Sequence, residues 1–248
     1  FVLGTTGEAP ALSYRLREEL LTRVVKQVNG RVPVLCGITD SCVTESIHFA
    51  HKAADAGADL LVIAPPYYYA AGQPELVDFI HLLVPQLPLP VFLYNMPALT
   101  KVVLEVETLQ SALGYERIVG VKDSSGDMDY FQRIMGLREQ RPDWRFLIGP
   151  EQLLAESVLL GGDGCVGGGA NVNPALFVQL YDAARSGDLE SMRQLQEKLL
   201  AMSMIYRVGS HSSSVIKGIK CALECLGICS GILAAPFRPF NQPERERV

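Results

Sequence analysis

The amino-acid sequence predicts an α/β protein built as a (β/α)8 barrel. Three observations carry that prediction: a regular succession of short apolar runs, helical patterns between them, and polar groups where the runs end. The runs occupy residues 1–3, 32–38, 59–64, 90–94, 118–122, 145–148 and 164–167, each bounded by Gly, Pro, Asn or Asp. Their ends recur about every 27 residues, the length of one strand–helix unit. Continuous apolar strands that alternate with helices imply a parallel sheet covered on both faces. A doubly wound open sheet is the structural rival, and the even period favours the barrel.

Each element follows from local pattern. Residues 12–28, 43–56 and 153–160 have helical periodicity, and the last ends at Gly161-Gly162, as helices often do. Seven runs are one short of a closed barrel, and the chain opens inside the first of them. The expectation is that one strand and one helix precede Phe1. After Pro174 the rhythm changes to helical patterns at 175–185, 189–207 and 215–226, with a short one near Gly231-Ile232-Leu233. The predicted organisation is a (β/α)8 barrel domain over residues 1–185 and a C-terminal helical region over 186–248.

Composition narrows the function. The chain has 248 residues, 48% hydrophobic and 20% charged, with a net charge of −5. That balance fits a soluble globular protein with an ample core, and it disfavours nucleic acid and anionic membrane as partners. No apolar run approaches a membrane span. Six cysteines include no CxxC pair. Cys221, Cys225 and Cys229 would share one helical face, yet zinc-type ligand spacing is absent and no metal site is expected. Reduced thiols and a cytoplasmic location follow. His48, His51, His81 and His211 form no HExxH or carboxylate-paired set. Gly162-Asp163-Gly164-Cys165-Val166-Gly167 matches GxGxxG, but these glycines bracket a short strand and do not join a strand to a helix, so a dinucleotide site is rejected.

The reactive groups of such barrels sit at the C-terminal strand ends. Lys122 closes the run 118–122 and is followed by Asp123-Ser124-Ser125-Gly126-Asp127. A lysine at the inner end of a buried strand is costly as an ammonium ion; as a neutral amine it attacks carbonyls. Alone, it would read as a side chain snorkelling into water. Its company argues otherwise. Tyr94 lies one strand–helix unit earlier, where a phenol could pass protons beside a forming imine. Gly4-Thr5-Thr6-Gly7-Glu8 offers hydroxyls and backbone N–H groups to a small carboxylate, or is a capped tight turn. Tyr67-Tyr68-Tyr69 cannot all pack inward, so at least one is expected to meet a ligand or another subunit. Glu151 and Gln152 could reach the distal part of a substrate, or could simply open a helix.

Taken together, these motifs resemble the N-acetylneuraminate lyase / dihydrodipicolinate synthase family of pyruvate-dependent class I aldolases. The matching pieces are Gly4-Thr5-Thr6-Gly7-Glu8, Pro66-Tyr67-Tyr68, Tyr94-Asn95-Met96-Pro97, Gly120-Val121-Lys122-Asp123 and Gly162-Asp163-Gly164, in family order and spacing. The resemblance implies that Lys122 forms the Schiff base with pyruvate or a 2-keto acid, without metal or organic cofactor. It implies that Tyr94 is the general acid/base, with Thr5 relaying protons between Tyr94 and Tyr68, the latter reaching a neighbouring subunit's site. Thr6 and the backbone at Val166 would hold the carboxylate. The expected partners are a small 2-keto acid and an aldehyde, and the expected assembly is a homodimer or homotetramer.

The acceptor is read from departures. Where synthases of the lysine precursor carry an anion-binding arginine, this chain has Leu99, in the Pro97-Ala98-Leu99-Thr100 stretch that looks like the sialic acid lyase branch. Ser124 and Glu151 could stand in for that branch's sugar-binding groups, whereas Gly168 lacks its serine hydroxyl. The reading is an N-acetylneuraminate lyase-like aldolase that cleaves or forms a 2-keto-3-deoxy sugar acid. The alternatives are a dihydrodipicolinate synthase joining pyruvate to aspartate semialdehyde, a 2-keto-3-deoxy acid dehydratase, and a non-catalytic 2-keto acid-binding member.

Overall fold

Apolar strands with β-branched residues and capped helices build the fold, which the computed structural model describes over residues 1–248. The chain divides into two compact units, residues 1–149 with 161–163, and residues 150–160 with 164–248. The first holds five strands: β1 Leu35–Gly37, β2 Leu60–Ile63, β3 Val91–Asn95, β4 Ile118–Asp123 and β5 Arg145–Ile148. They pair in parallel and in chain order, β1 with β2 through β4 with β5. Parallel neighbours need long crossovers. These are supplied by α2 Val43–Asp55, α3 Gln73–Leu83, the short α4 Pro97–Thr100 with α5 Val106–Ser111, and α6 Met128–Met135, while α1 Tyr14–Val28 precedes β1. The run at 1–3 contributes a single parallel bridge, Val2 to Cys36.

Sequence explains where these helices begin. The Ser13 hydroxyl accepts from Leu16 N at α1, and the Asp127 carboxylate accepts from Tyr130 N at α6, each satisfying a free amide of the first turn. Asn29, left-handed at φ 49°, ends α1. A partly buried set fixes α1 to the end of β1. The Tyr14 hydroxyl donates to Asp40 Oδ2 at 2.8 Å, and Arg17 Nη1 lies 3.6 Å from the same oxygen. Asp40 Oδ1 accepts from Cys42 N.

Two glycines set strand spacing. Gly120 sits at φ 156°, and a Cβ there would lie 2.0 Å from the Arg145 carbonyl oxygen of the neighbouring strand. A Cβ on Gly37 would lie 2.2 Å from the Leu3 carbonyl oxygen. Behind the sheet, Trp144, Phe131, Phe146 and Ile148 are fully buried. Cys36 is also fully buried, and desolvation pushes its thiol up to about 12.

The second unit contains α7 Leu154–Leu159, the two-residue strand β6 Gly164–Cys165, α8 Pro174–Ser186, α9 Leu189–Met202, α10 Ser214–Cys225 and α11 Gln242–Arg247. Leu154, Val158, Leu176, Phe177, Leu180 and Leu199 form its core. Three expectations are corrected here. The helical pattern at 189–207 ends as α-helix at Met202 and tightens to a 3₁₀ turn over Ser203–Arg207. The stretch 231–233 is not helical, because Gly231 N donates to Glu224 Oε1 and the Ile232 carbonyl accepts from Lys220 Nζ, taking up the groups a helix would pair. Cys229 does not share a helical face with Cys221 and Cys225, since α10 stops at Cys225 and Gly227 turns left-handed at φ 71°. The sequence reading omitted α11. Asn241 and Glu244 cap each other's backbone amides there, a signal legible as Asn-Gln-Pro-Glu.

Candidate active site

Strand register brings the two central residues together. In the β3–β4 ladder Tyr94 pairs with Lys122 and Asn95 with Asp123. Tyr94 and Lys122 are both buried, at 5% and 6% exposure, and Lys122 Nζ stands 4.0 Å from the centroid of the Tyr94 ring. That distance places the nitrogen over the ring's electron-rich face. The Phe1 ring lies 4.9 Å from the same nitrogen. The side chains of Val62, Ala64, Phe92 and Tyr94 form one apolar cluster, edged by Met96, Val119 and Leu147. A lysine and a tyrosine that meet at the end of an apolar strand pair combine an amine nucleophile with a proton carrier.

Ser124 follows this pair and donates its hydroxyl to the Tyr94 oxygen at 3.2 Å. Gly149, just beyond β5, makes the space: a Cβ there would lie 1.8 Å from Ser124 Oγ. Gly149 N donates to the Asp123 carbonyl at 2.6 Å and Ser124 N to the Asn95 carbonyl at 2.8 Å, extending both ladders past the strand ends. Sequence reasoning offered Ser124 as a candidate substrate contact and missed its bond to Tyr94. The signal was the small Gly149 at the next strand end.

Other expected site residues fall as follows. Thr5 and Thr6 lie half-buried in a turn in which Glu8 N donates to the Thr5 carbonyl, and Glu8 adopts a left-handed φ of 56°. Tyr68 and Tyr69 are 81% and 82% exposed and meet edge to face, while Tyr67 is partly covered. Leu99 is exposed on α4. In the second unit Glu151 is buried, and its carboxylate accepts from the Tyr206 hydroxyl at 2.7 Å and from Gly169 N at 2.8 Å. Burial, followed by the hydrogen bond to Glu151, raises the Tyr206 phenol beyond its usual range. Val166 is partly exposed just after β6. Nearby, a Cβ on Gly167 would meet Phe177 and Glu151, so this glycine serves close packing.

Asp163, within the GxGxxG match, is a structural acceptor. It takes Phe146 N at 2.7 Å and forms ion pairs with Arg138 and Arg145. No group of three or more His, Cys, Asp or Glu side chains is placed to hold a metal ion. No helix is long and apolar enough to cross a membrane.

Comparison with known proteins bears on this arrangement. The model of the dihydrodipicolinate synthetase family matches residues 1–248. A 4-hydroxy-tetrahydrodipicolinate synthase of Methanopyrus kandleri is 35% identical over 98% of this chain and 79% of its own. A probable 2-dehydro-3-deoxy-D-pentonate aldolase, YjhH of Escherichia coli K12, is 35% identical over 92% of this chain and 75% of its own. Among solved structures, a dihydrodipicolinate synthase from Bacteroides thetaiotaomicron superposes with a TM-score of 0.96 at 52% identity, covering 100% of this chain and 83% of that one. YagE, a prophage protein of the same family from E. coli K12 solved in complex with pyruvate, gives 0.93 at 28% identity, with coverage of 100% and 83%. The relatives named as synthases favour the synthase alternative over the N-acetylneuraminate lyase-like reading. The fold they share is the barrel type that the strand–helix period predicts. Family enzymes work through a lysine–pyruvate Schiff base without metal or organic cofactor. With its whole length inside the family model, this chain belongs to the dihydrodipicolinate synthetase family and is a class I aldolase or lyase.

Proposed function

We propose that the chain joins pyruvate to an aldehyde, or releases it from an aldol, through an imine on Lys122. The observation that carries this reading is the register that sets Lys122 beside Tyr94, with Nζ 4.0 Å from the ring. The neutral amine adds to the keto carbon of pyruvate, and the carbinolamine loses water to give the imine. Loss of a methyl proton then gives an enamine, whose carbon attacks the aldehyde; water finally returns the amine and releases the product. Tyr94 carries the protons that these steps move, with Ser124 donating to its oxygen. Thr5 and Tyr68 extend the relay, and Thr6 with its neighbouring amides receives the pyruvate carboxylate. The acceptor proposed first is aspartate semialdehyde, because relatives named as synthases match across nearly the whole chain.

A second reading is aldol cleavage of a 2-keto-3-deoxy acid. Leu99 favours it, since an exposed apolar side chain offers no grip to a second carboxylate, and the pentonate aldolase relative accords with it. Pyruvate and borohydride should leave a reduced adduct that maps to Lys122, and Lys122→Ala should lose both adduct and turnover. Tyr94→Phe should turn over about two to four orders of magnitude more slowly. An adduct on another residue, or near-normal turnover by Lys122→Ala, would overturn the assignment. A coupled assay with aspartate semialdehyde, set against release of pyruvate from 2-keto-3-deoxy acids, separates the two acceptors.

A further inference from the structure

The structure assigns a positioning role to the buried pair Asn95–Asp123, which locks the Tyr94 and Lys122 strand ends in register from the far side of the sheet. The inference rests on the reading of Lys122 and Tyr94 given above. Successive strand residues point to opposite faces, so Asn95 and Asp123 stand behind the apolar face that carries Tyr94. Both are fully buried, at 0% exposure. Asn95 Nδ2 donates to Asp123 Oδ1 at 2.7 Å, directly across the ladder and one residue beyond the Tyr94–Lys122 pair.

Neither side chain has a polar end left over. Asn95 Oδ1 accepts from Leu104 N at 3.0 Å. Asp123 Oδ1 also accepts from Ser125 N at 3.1 Å, and Oδ2 accepts from the Ser125 hydroxyl at 2.8 Å. Leu104 is itself held, because its carbonyl accepts from the buried Tyr130 hydroxyl. A buried polar network in which every side-chain nitrogen and oxygen has a partner favours one geometry, whereas an apolar pair at the same place would tolerate a slip of the strand ends. Burying a carboxylate here is costly, and desolvation raises the Asp123 carboxyl above its ordinary range despite the donors around it. Apolar residues would fill this layer at less cost, so stability alone is a poor reason for the pair. A set distance between amine and phenol is the better one, since about 1 Å of misplacement can reduce a rate by about a hundredfold.

The test uses Asn95→Ala, Asn95→Asp and the exchange variant Asn95→Asp/Asp123→Asn, which restores one donor facing one acceptor. Each is assayed well below its unfolding midpoint for kcat, KM for pyruvate and the rate of borohydride trapping. Positioning predicts that both single variants lose about ten- to a hundredfold in kcat and trap the imine more slowly, with KM changed less. The exchange variant should recover most of that loss even where its melting temperature stays low. If Asn95→Ala does not fold, the comparison of Asn95→Asp with the exchange variant decides the question alone. Wild-type kcat in the folded single variants, with only the melting temperature lowered, would overturn the proposal. So would an exchange variant as slow as Asn95→Asp. Failure of the Lys122 reading is seen separately, as a wild-type adduct that maps elsewhere.

Discussion

At the scale of the residue, the site depends on what is missing from Gly149 as much as on what Tyr94 and Lys122 supply. Ser124 keeps its hydroxyl on the Tyr94 oxygen only because the residue opposite has no Cβ. Gly149→Ala should therefore displace Ser124, lowering stability by about 1–3 kcal/mol as an overpacked contact. It should also reduce kcat by at least the worth of one hydrogen bond, about three- to tenfold. Ser124→Ala should show the kinetic loss without the drop in melting temperature. Equal melting temperatures for wild type and Gly149→Ala would refute the steric account. Lys122 and Tyr94 were legible in the sequence because their types and the strand–helix spacing place amine and phenol on neighbouring strand ends. Asn95 and Asp123 were not read as a pair, although alternation sends both to the opposite face. A polar residue after a reactive one reads as the start of a loop, and only register shows that the two meet.

At the scale of the element, β2 to β6 were placed within a residue or two, since buried parallel strands read as continuous apolar runs, whereas the run at 32–38 begins three residues before β1. The run at 1–3 has only one bridge for a partner, and 231–233 is not helical because Lys220 and Glu224 of α10 take up its backbone groups in place of a helical turn. The link between α1 and the end of β1 gives a titration prediction. The Tyr14 phenol is raised to about 12, first by its hydrogen bond to Asp40 and then by burial. The folded-state value lies above the unfolded one of about 10, so this bond's contribution to stability is complete below pH 10. It is lost as pH rises from about 10 through about 12. Ultraviolet difference titration should show one tyrosine ionising near the upper value, and Tyr14→Phe should remove that step. A Tyr14→Phe protein that keeps the step would assign it to another phenol.

At the scale of the whole molecule, the cysteines report which surfaces water reaches. Cys42, Cys225 and Cys229 are exposed, whereas Cys36 and Cys221 are buried. Burial, the largest cause in both, holds the Cys36 and Cys221 thiols above their ordinary range. Only a thiolate reacts readily, so brief alkylation of the native protein near neutral pH should label the exposed three and spare the buried two until unfolding. Rapid native labelling of Cys36 would contradict the packing described for β1. Composition and period gave the fold class from sequence, and family motifs gave the donor chemistry. The acceptor stayed open because the residues proposed to select it, such as Leu99, lie outside the strands and follow no strand pattern.

The placement of Leu99 also bears on how such an enzyme can be retargeted. Lys122 and Tyr94 are anchored within a strand ladder, but Leu99 stands exposed on a four-residue helix beyond it. On the proposed reading, a library confined to residues 98–101 would vary the side chains offered to the aldehyde while leaving Lys122 untouched. Every clone would carry its own internal control: borohydride trapping of pyruvate would report intact donor chemistry, whatever aldehyde the clone had learned to accept.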